Sequence, residues 1–260
     1  MLSCIICSRH SDISLELKQN IQTTIAVAYE LVVIDNSRNE YSIFSAYNEG
    51  VRRAKGDILC FMHEDIEYVT PNWGSIVQRE MQNPQVGCIG VAGTYFMPSF
   101  AAKWWDTCAS VGQWIYQSPD GTQTFYDLNN GVVRDSSISA AVVDGLWMCI
   151  RASLFNEISF DERTYHGGFH CYDLDICMQV HALGKEVRVL SDIHIIHYSM
   201  GDVKGDFSEK LAVWNTKWQS SLPICSIRGG GAKSMRRIET NCSRPFVRLW
   251  QKGTNATNDR

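Results

Sequence analysis

The sequence lacks the features that mark several large classes of protein. No apolar run among its 260 residues approaches the length of about 20 residues that a membrane-spanning helix needs. No basic segment followed by a long apolar one stands at the N-terminus, so we expect no signal peptide. The net charge of -4 gives no sign of nucleic-acid binding by the whole chain. These absences favour a cytoplasmic globular protein without nucleic acid among its partners.

Two phosphate-binding motifs are also missing. The loop after the first predicted strand reads C-S-R-H-S-D and contains no G-x-G-x-x-G, which argues against a dinucleotide-binding domain. The chain contains no G-x-x-x-x-G-K-[ST], so a P-loop is excluded. A mononucleotide whose phosphates are held through a metal ion is the class of ligand that these absences leave open.

The ten cysteines do not form a zinc motif. Cys4 and Cys7 make a C-x-x-C, but on a strand their side chains point to opposite faces, and no second C-x-x-C accompanies them. Several of the others fall inside apolar runs. We interpret most of the cysteines as small buried hydrophobic residues in a reducing compartment, which again favours the cytoplasm.

Strand and helix patterns alternate along the first part of the chain. Strands are predicted at Leu2–Cys7, Glu30–Ile34, Asp57–Met62 and Val86–Val91. Helices are predicted at Ile13–Ile25, at Ser42–Ala54, and from an N-cap at Thr70 with Pro71 in the first helical position. This alternation predicts an α/β fold, a single domain over residues 1–225 with a mostly parallel central sheet flanked by helices.

Residues 94–139 have a different character. They carry three tryptophans and two alternating runs around Pro119-Asp120-Gly121, which predicts a hairpin. A long aromatic insertion suggests a binding region, and the alternative is a hairpin that packs its aromatic side chains on the sheet.

The rest of the chain returns to regular patterns. Two apolar runs, Ala141–Val143 and Leu146–Ile150, either pair with each other or form one bent strand. The helix predicted at Tyr172–Leu183 places Asp173 on its inward stripe and Asp175 off it. Further strands at Glu186–Leu190 and Ile193–Ile196 and a helix at Asp206–Gln219 complete the predicted elements. Residues 226–260 read as a basic flexible tail, with contact to an anionic membrane surface as the alternative.

Polar clusters follow two of the predicted strands. His63-Glu64-Asp65 comes directly after the third strand, and Asp35-Asn36-Ser37 follows the second. The carboxyl ends of parallel strands meet at one edge of a sheet, where ligands bind. The first cluster suits a divalent cation, and a cation suits a phosphate-bearing substrate. The alternative for the first cluster is a solvated acidic turn.

The order of these motifs resembles a known family. The resemblance is carried by D-N-S after strand two, N-E-G-x-x-x-A-x-G at Asn48–Gly56, H-E-D at the end of strand three, V-D-G-L-W-M at Val143–Met148, F-D-E at Phe160–Glu162 and F-H-C-Y-D-L-D-I-C at Phe169–Cys177. Over roughly residues 2–200 the chain is similar to bacterial family-two-like glycosyltransferases with a GT-A fold. The resemblance implies inverting, metal-dependent transfer of a sugar from a nucleotide-diphosphate sugar to an acceptor hydroxyl, in bacterial surface polysaccharide synthesis.

The resemblance also implies roles for matched positions. Asp173 corresponds to the general base, and an aspartate at a helix start is expected to stay ionised. A divalent cation, Mn²⁺ or Mg²⁺, is expected at Asp65, His63 and His197. The donor is expected at Arg9, Asp35, Glu64, Asp144 and Gly145. Two positions depart from the family pattern: His63 stands in place of the first aspartate of D-x-D, and Tyr172 in place of the glutamate of E-D.

The implied partners are a nucleotide-diphosphate sugar donor and a saccharide or lipid-linked saccharide acceptor, which residues 94–139 are expected to bind. The implied location is the cytoplasm, at the inner face of the membrane if the tail binds it. The departures at His63 and Tyr172 leave open a catalytically silent nucleotide-sugar-binding or scaffolding protein of the same fold. A nucleotidyltransferase is a third reading, although C-S-R-H-S-D lacks the glycine-rich loop expected there.

Overall fold

The computed structural model describes residues 1–129, 136–199 and 205–227. Within them the strands are β1 (Leu2–Ser8), β2 (Tyr29–Asp35), β3 (Ile58–Met62), β4 (Ile66–Tyr68), β5 (Val86–Gly90), β6 (Ala92–Thr94), β7 (Phe96–Met97), β8 (Ser110–Gln117), β9 (Gln123–Asn129), β10 (Ser137–Ala140), β11 (Val142–Val143), β12 (Trp147–Arg151), β13 (Glu186–Leu190), β14 (Ile195–His197) and β15 (Ile224–Cys225). The α-helices are α1 (Leu15–Thr24), α2 (Ile43–Arg53), α3 (Trp73–Glu80), α4 (Glu162–Tyr165), α5 (Tyr172–Ala182) and α6 (Phe207–Trp218).

The central sheet has the order β10-β13-β5-β12-β3-β1-β2. Strand β1 pairs in parallel with both β2 and β3, and β13 pairs in parallel with β5. Strand β12 is antiparallel to both of its neighbours, β3 and β5, and β10 is antiparallel to β13. Most strands of this sheet, as far as the structure describes it, therefore run in one direction, which confirms the predicted α/β fold with a mostly parallel sheet.

Helices cover both faces of the central sheet because its strands are apolar on both sides. On one face, Phe44 and Tyr47 of α2 pack with Phe61 of β3. On the other face, Ile21 of α1 and Trp73 of α3 are buried. Ser14 and Ser42 accept hydrogen bonds from backbone amides at the starts of α1 and α2, as N-cap residues do.

A second sheet, β11-β6-β8-β14-β4 with β9 added beside β8, lies at the carboxyl end of the first. Strands β8 and β9 form the hairpin predicted around Pro119-Asp120-Gly121. The two apolar runs at 141–150 neither pair with each other nor form one strand. Strand β11 pairs with β6 in the second sheet, whereas β12 lies in the central sheet, so the turn at Asp144-Gly145 passes from one sheet to the other.

The predicted start of α3 is wrong by two residues. The helix begins after Asn72, which has a φ of 60° and makes no side-chain cap. Thr70, the predicted N-cap, instead accepts a hydrogen bond from the backbone amide of His194 at 2.8 Å and donates to the carbonyl of Asp192 at 3.3 Å. Tertiary pairing with the β14 region therefore overrides the local capping signal.

Six cysteines, Cys4, Cys60, Cys88, Cys149, Cys171 and Cys177, are buried and free, as predicted for small core residues. Each helix in the described part of the chain is too short or too polar to cross a bilayer. The predicted domain boundary at residue 225 stays a prediction. The predicted tail beyond residue 227, and residues 130–135 of the insertion, lie outside the described residues.

Candidate active site

A large cavity, about 1160 Å³ in volume, opens where the carboxyl ends of β1 and β3 face the second sheet. Its lining includes eight predicted site residues: Arg9, His63, Glu64, Asp65, Asp144, Gly145, Asp173 and His197. The structure therefore brings together residues that are up to 188 positions apart in the sequence, as between Arg9 and His197. Asp35 is the predicted residue that does not line the cavity; its neighbours Asn36 and Ser37 do.

Three of these side chains form a cluster that could hold a metal ion. The ligand atoms of His63, Asp65 and His197 all lie within 4.8 Å of one another. His63 Nδ1 is 3.8 Å and His197 Nε2 is 3.5 Å from Asp65 Oδ1. The two ring nitrogens are 3.4 Å apart. Two imidazoles and a carboxylate that converge on one point fit a divalent transition-metal ion such as Mn²⁺.

Strand pairing explains why these three residues meet. His63 and Asp65 follow β3, whose five residues are all buried. Strand β14 is antiparallel to β4 and places His197 opposite Ile66, while the amide of Tyr198 donates to the carbonyl of Asp65 at 3.0 Å. His194, which precedes β14, is not part of the cluster: its Nε2 lies 3.0 Å from Gln113 Oε1.

The electrostatics of the cluster favour a charged Asp65 carboxylate and a neutral His63 imidazole, the forms of these two groups that bind a metal. Burial alone would raise the pKa of Asp65, but hydrogen bonds from His197 and Ser199 outweigh it and hold the pKa well below its ordinary value. Burial, and then the nearby His197, lowers the pKa of His63. At neutral pH the carboxylate is therefore charged and the His63 imidazole is neutral.

Asp173 lies at the start of α5 with both oxygens bound to backbone amides. Gly145 donates to its Oδ2 at 3.0 Å and Leu174 to its Oδ1 at 2.9 Å. Burial, and then repulsion from Asp144, nevertheless raises the pKa of Asp173 to about 7. The expectation that the helix start keeps this group readily ionised is therefore wrong, because desolvation and a like charge exceed the effect of the helix dipole.

Asp144 and Gly145 form the turn between the two sheets. Asp144 accepts hydrogen bonds from the indole of Trp104 at 2.9 Å and the amide of Leu146 at 2.8 Å. A Cβ on Gly145 would lie 2.2 Å from the hydroxyl oxygen of Tyr172. Only glycine therefore lets the aromatic ring of Tyr172 approach this turn.

The predicted donor residues on the other side of the cavity are joined to each other. Glu64 accepts hydrogen bonds from Ser8 Oγ at 2.5 Å, from the Arg9 amide at 3.1 Å and from Arg9 Nε at 3.0 Å. Glu64 thus fixes the loop after β1 and orients Arg9 at the cavity. Asp35 is exposed and accepts a hydrogen bond from the amide of Ser37 at 2.9 Å.

One side of the cavity is lined by aromatic side chains, here called the aromatic wall, and the sequence predicted no individual role for them. The wall consists of Trp104, Trp105, Trp114, Tyr126, Phe169 and Phe207. Trp114 stacks on Tyr126 with ring centroids 4.7 Å apart, and the ring centroids of Trp105 and Phe207 are 5.9 Å apart. The concentration of tryptophan in residues 94–139 was the available signal, but the wall also takes residues from the loop before α5 and from α6.

Comparison with known proteins agrees with this geometry. A family model described as "Glycosyltransferase like family" matches residues 2–212. The O-antigen biosynthesis protein RfbC of Myxococcus xanthus is 22% identical over 173 residues, which are 64% of this chain and 13% of RfbC. The ATP synthase subunits region ORF 6 protein of Fuscovulum blasticum is 24% identical over 201 residues, 75% of this chain and 73% of that protein.

The fold is also found among solved structures. That of GalNAc-T7 with UDP, GalNAc and Mn²⁺ matches with a TM-score of 0.52 at 12% sequence identity, covering 77% of this chain and 43% of that one. The chain thus spans less than half the length of RfbC and of GalNAc-T7.

The mixed sheet and the match to the solved GalNAc-T7 structure show that the chain has a GT-A fold. The chain belongs to the family described as "Glycosyltransferase like family", whose model covers most of its length. The predicted family and the predicted fold are confirmed.

Proposed function

We propose that this protein transfers a sugar from a nucleotide-diphosphate sugar to an acceptor hydroxyl, with inversion and with a divalent cation. The observation that carries the proposal is the convergence of three metal-ligating side chains and a buried aspartate on one cavity. His63, Asp65 and His197 would hold the cation. Bound there, a cation neutralises the negative charge that develops on the diphosphate leaving group.

The ligand set favours Mn²⁺ over Mg²⁺. Imidazole nitrogen suits first-row transition metals, whereas Mg²⁺ prefers oxygen ligands and water. The cluster contributes two imidazoles and one carboxylate. The solved GalNAc-T7 structure, similar in fold, contains Mn²⁺. We therefore expect the protein to work with Mn²⁺ and less well with Mg²⁺.

Asp173 would accept the proton from the acceptor hydroxyl. An effective general base has a pKa near the working pH, and burial together with Asp144 raises the pKa of Asp173 to about 7. The backbone amides of Gly145 and Leu174 hold the carboxylate in place. One base and one departing diphosphate suffice for a single displacement, which inverts the configuration at the sugar carbon.

The donor would lie along the ends of β1, β2 and β3. Arg9, oriented by Glu64, is placed to pair with a phosphate, and the Asp35–Ser37 segment is placed to meet the base or the ribose. Asp144 and Gly145 would line the sugar end, beside Asp173.

The aromatic wall supports a saccharide acceptor. Sugar rings present apolar C–H faces that pack on aromatic rings, and Trp105 and Phe169 are both substantially exposed in the cavity. The resemblance to RfbC, named for O-antigen biosynthesis, supports a lipid-linked saccharide of a surface polysaccharide. A basic tail at the inner face of the membrane would bring the enzyme to such an acceptor.

The test is to incubate the protein with a panel of nucleotide sugars and Mn²⁺ or Mg²⁺, and to measure release of nucleoside diphosphate. We expect metal-dependent release that Asp65→Ala and Asp173→Ala each reduce by about 10²-fold or more, because each removes a group that acts in the transition state. Asp192→Ala is the control, since Asp192 forms a surface ion pair with Arg79 outside the cavity.

The products also separate the alternative functions. Nucleotide-sugar binding without release across a broad acceptor panel would favour a scaffolding protein of the same fold. Release of pyrophosphate would favour a nucleotidyltransferase. Unchanged turnover in Asp65→Ala would contradict the proposed metal site.

A further inference from the structure

The two residues that depart from the family pattern are in contact with each other. Tyr172 Oη lies 3.2 Å from His63 Nε2, although 109 positions separate the two residues. The same hydroxyl donates to the carbonyl oxygen of Gly145 at 3.1 Å. Tyr172 is buried, so its hydroxyl has these protein groups, together with the hydroxyl of Tyr47, as partners in place of bulk water.

The protons of this small network can be assigned by counting donors. A carbonyl oxygen accepts only, so the single hydroxyl proton of Tyr172 goes to Gly145. The tyrosine oxygen can then only accept from His63, which requires a proton on Nε2. A neutral imidazole protonated on Nε2 carries its free lone pair on Nδ1.

His63 Nδ1 is the nitrogen that faces the metal cluster. It lies 3.4 Å from His197 Nε2 and 3.8 Å from Asp65 Oδ1. We propose that Tyr172 is a positioning residue: through its hydrogen bond to Nε2 it selects the His63 tautomer whose Nδ1 lone pair faces Asp65 and His197 and would be free to bind a cation. Hydrogen bonds to the second ring nitrogen of a metal-binding histidine commonly fix its tautomer and orientation.

The turn at Gly145 makes this arrangement possible. The absence of a side chain at Gly145 lets the Tyr172 ring come close enough to reach the carbonyl, since a Cβ would lie 2.2 Å from the hydroxyl oxygen. An ionised glutamate at position 172 would have no proton to donate to that carbonyl. A tyrosine at position 172 can therefore bind both Gly145 and His63, whereas an ionised glutamate could bind only His63.

The inference rests on the proposed metal site, and its test has two independent readouts. The first is the tautomer of His63 in the metal-free protein, read from long-range ¹H–¹⁵N correlation spectra of ¹⁵N-histidine-labelled protein at about pH 8, where imidazole is neutral. We expect the wild type to be protonated on Nε2 and Tyr172→Phe to show a mixture of tautomers. A wild-type His63 protonated on Nδ1 would overturn the proposal.

The second readout is Mn²⁺ affinity, measured by calorimetry or by the electron paramagnetic resonance signal of free Mn²⁺. Tyr172→Phe should weaken binding by about 10–100-fold, the usual effect of losing such a partner. Tyr165→Phe is the matched control, because Tyr165 is a buried tyrosine that donates to Asp175 and not to the cluster. Equal Mn²⁺ affinity in Tyr172→Phe and the wild type would overturn the proposal. A wild type that binds no Mn²⁺ would instead contradict the proposed metal site, and the spectra would still decide the tautomer.

Discussion

At the scale of single residues, Asp173 is held where its charge is disfavoured. Its pKa is about 7 in the folded protein, against an ordinary value of 3.8, because it is buried beside Asp144. The folded state thus binds a proton more tightly than the unfolded state, so stability falls as the pH rises from about 4 to about 7. A neutral side chain at position 173 should therefore prevent this loss of stability at high pH.

We therefore expect Asp173→Asn to be inactive but more stable than the wild type at about pH 8, by about 1–2 kcal/mol in the free energy of unfolding. The difference should shrink as the pH falls and vanish well below about pH 4, where the wild-type carboxyl is protonated in both states. Urea denaturation at several pH values measures it, with Asp192→Asn as a surface control. If Asp173→Asn is less stable than the wild type at high pH, the ionised Asp173 carboxylate stabilises the folded protein.

The site residues whose location could be predicted from the sequence are those that directly follow a single strand. His63 and Asp65 end a buried strand, so their place at the carboxyl edge follows from a local pattern. The contact between Tyr172 and His63 could not be predicted in this way. It depends on the turn at Gly145, which passes between two sheets and is set by long-range pairing.

At the scale of elements, Asp175 joins α5 to α6. Its carboxylate is almost fully buried and accepts hydrogen bonds from Tyr165 at 3.1 Å, Lys217 at 3.0 Å and Trp218 at 2.8 Å. The stripe on α5 predicted Asp175 to lie off the buried face, which is wrong. The stripe assumes that one face of a helix is buried, but α4 and α6 cover the other face of α5 as well.

Asp175→Ala should lower the free energy of unfolding by about 3 kcal/mol, because it leaves the hydroxyl of Tyr165 and the indole of Trp218 without their buried acceptor. It also removes one of the two carboxylates bound to Lys217. Chemical denaturation followed by tryptophan fluorescence measures the change. The matched control is Asp161→Ala, which removes the other carboxylate bound to Lys217 at a more exposed position and should cost less. A loss below about 1 kcal/mol for Asp175→Ala would mean that water replaces the network.

At the scale of the whole molecule, the alternating pattern predicts the parallel strands because each β–α unit is a local feature. The second sheet is different. Strands β6, β11 and β14 have only two or three residues each and pair with partners far along the chain. Periodicity carries little information over so few residues, so their pairing, and with it the wall of the cavity, follows from tertiary packing.

The proposed metal site lies across this division between the two sheets. His63 follows β3 of the central sheet, whereas Asp65 directly precedes β4 and His197 is on β14, both strands of the second sheet. A cation bound to all three would join the two sheets in the folded state and would have no such site in the unfolded chain. Metal binding should therefore stabilise the protein as a whole.

At about 100 times its dissociation constant, Mn²⁺ should raise the free energy of unfolding by about 2.7 kcal/mol. For a protein of this size, that corresponds to a rise of about 5–10 °C in the melting temperature, which thermal denaturation with and without EDTA measures. His197→Ala should lose most of the rise, because it removes one of the three proposed ligands, whereas Tyr165→Phe should keep it. An equal rise in His197→Ala would show that His197 does not hold the cation.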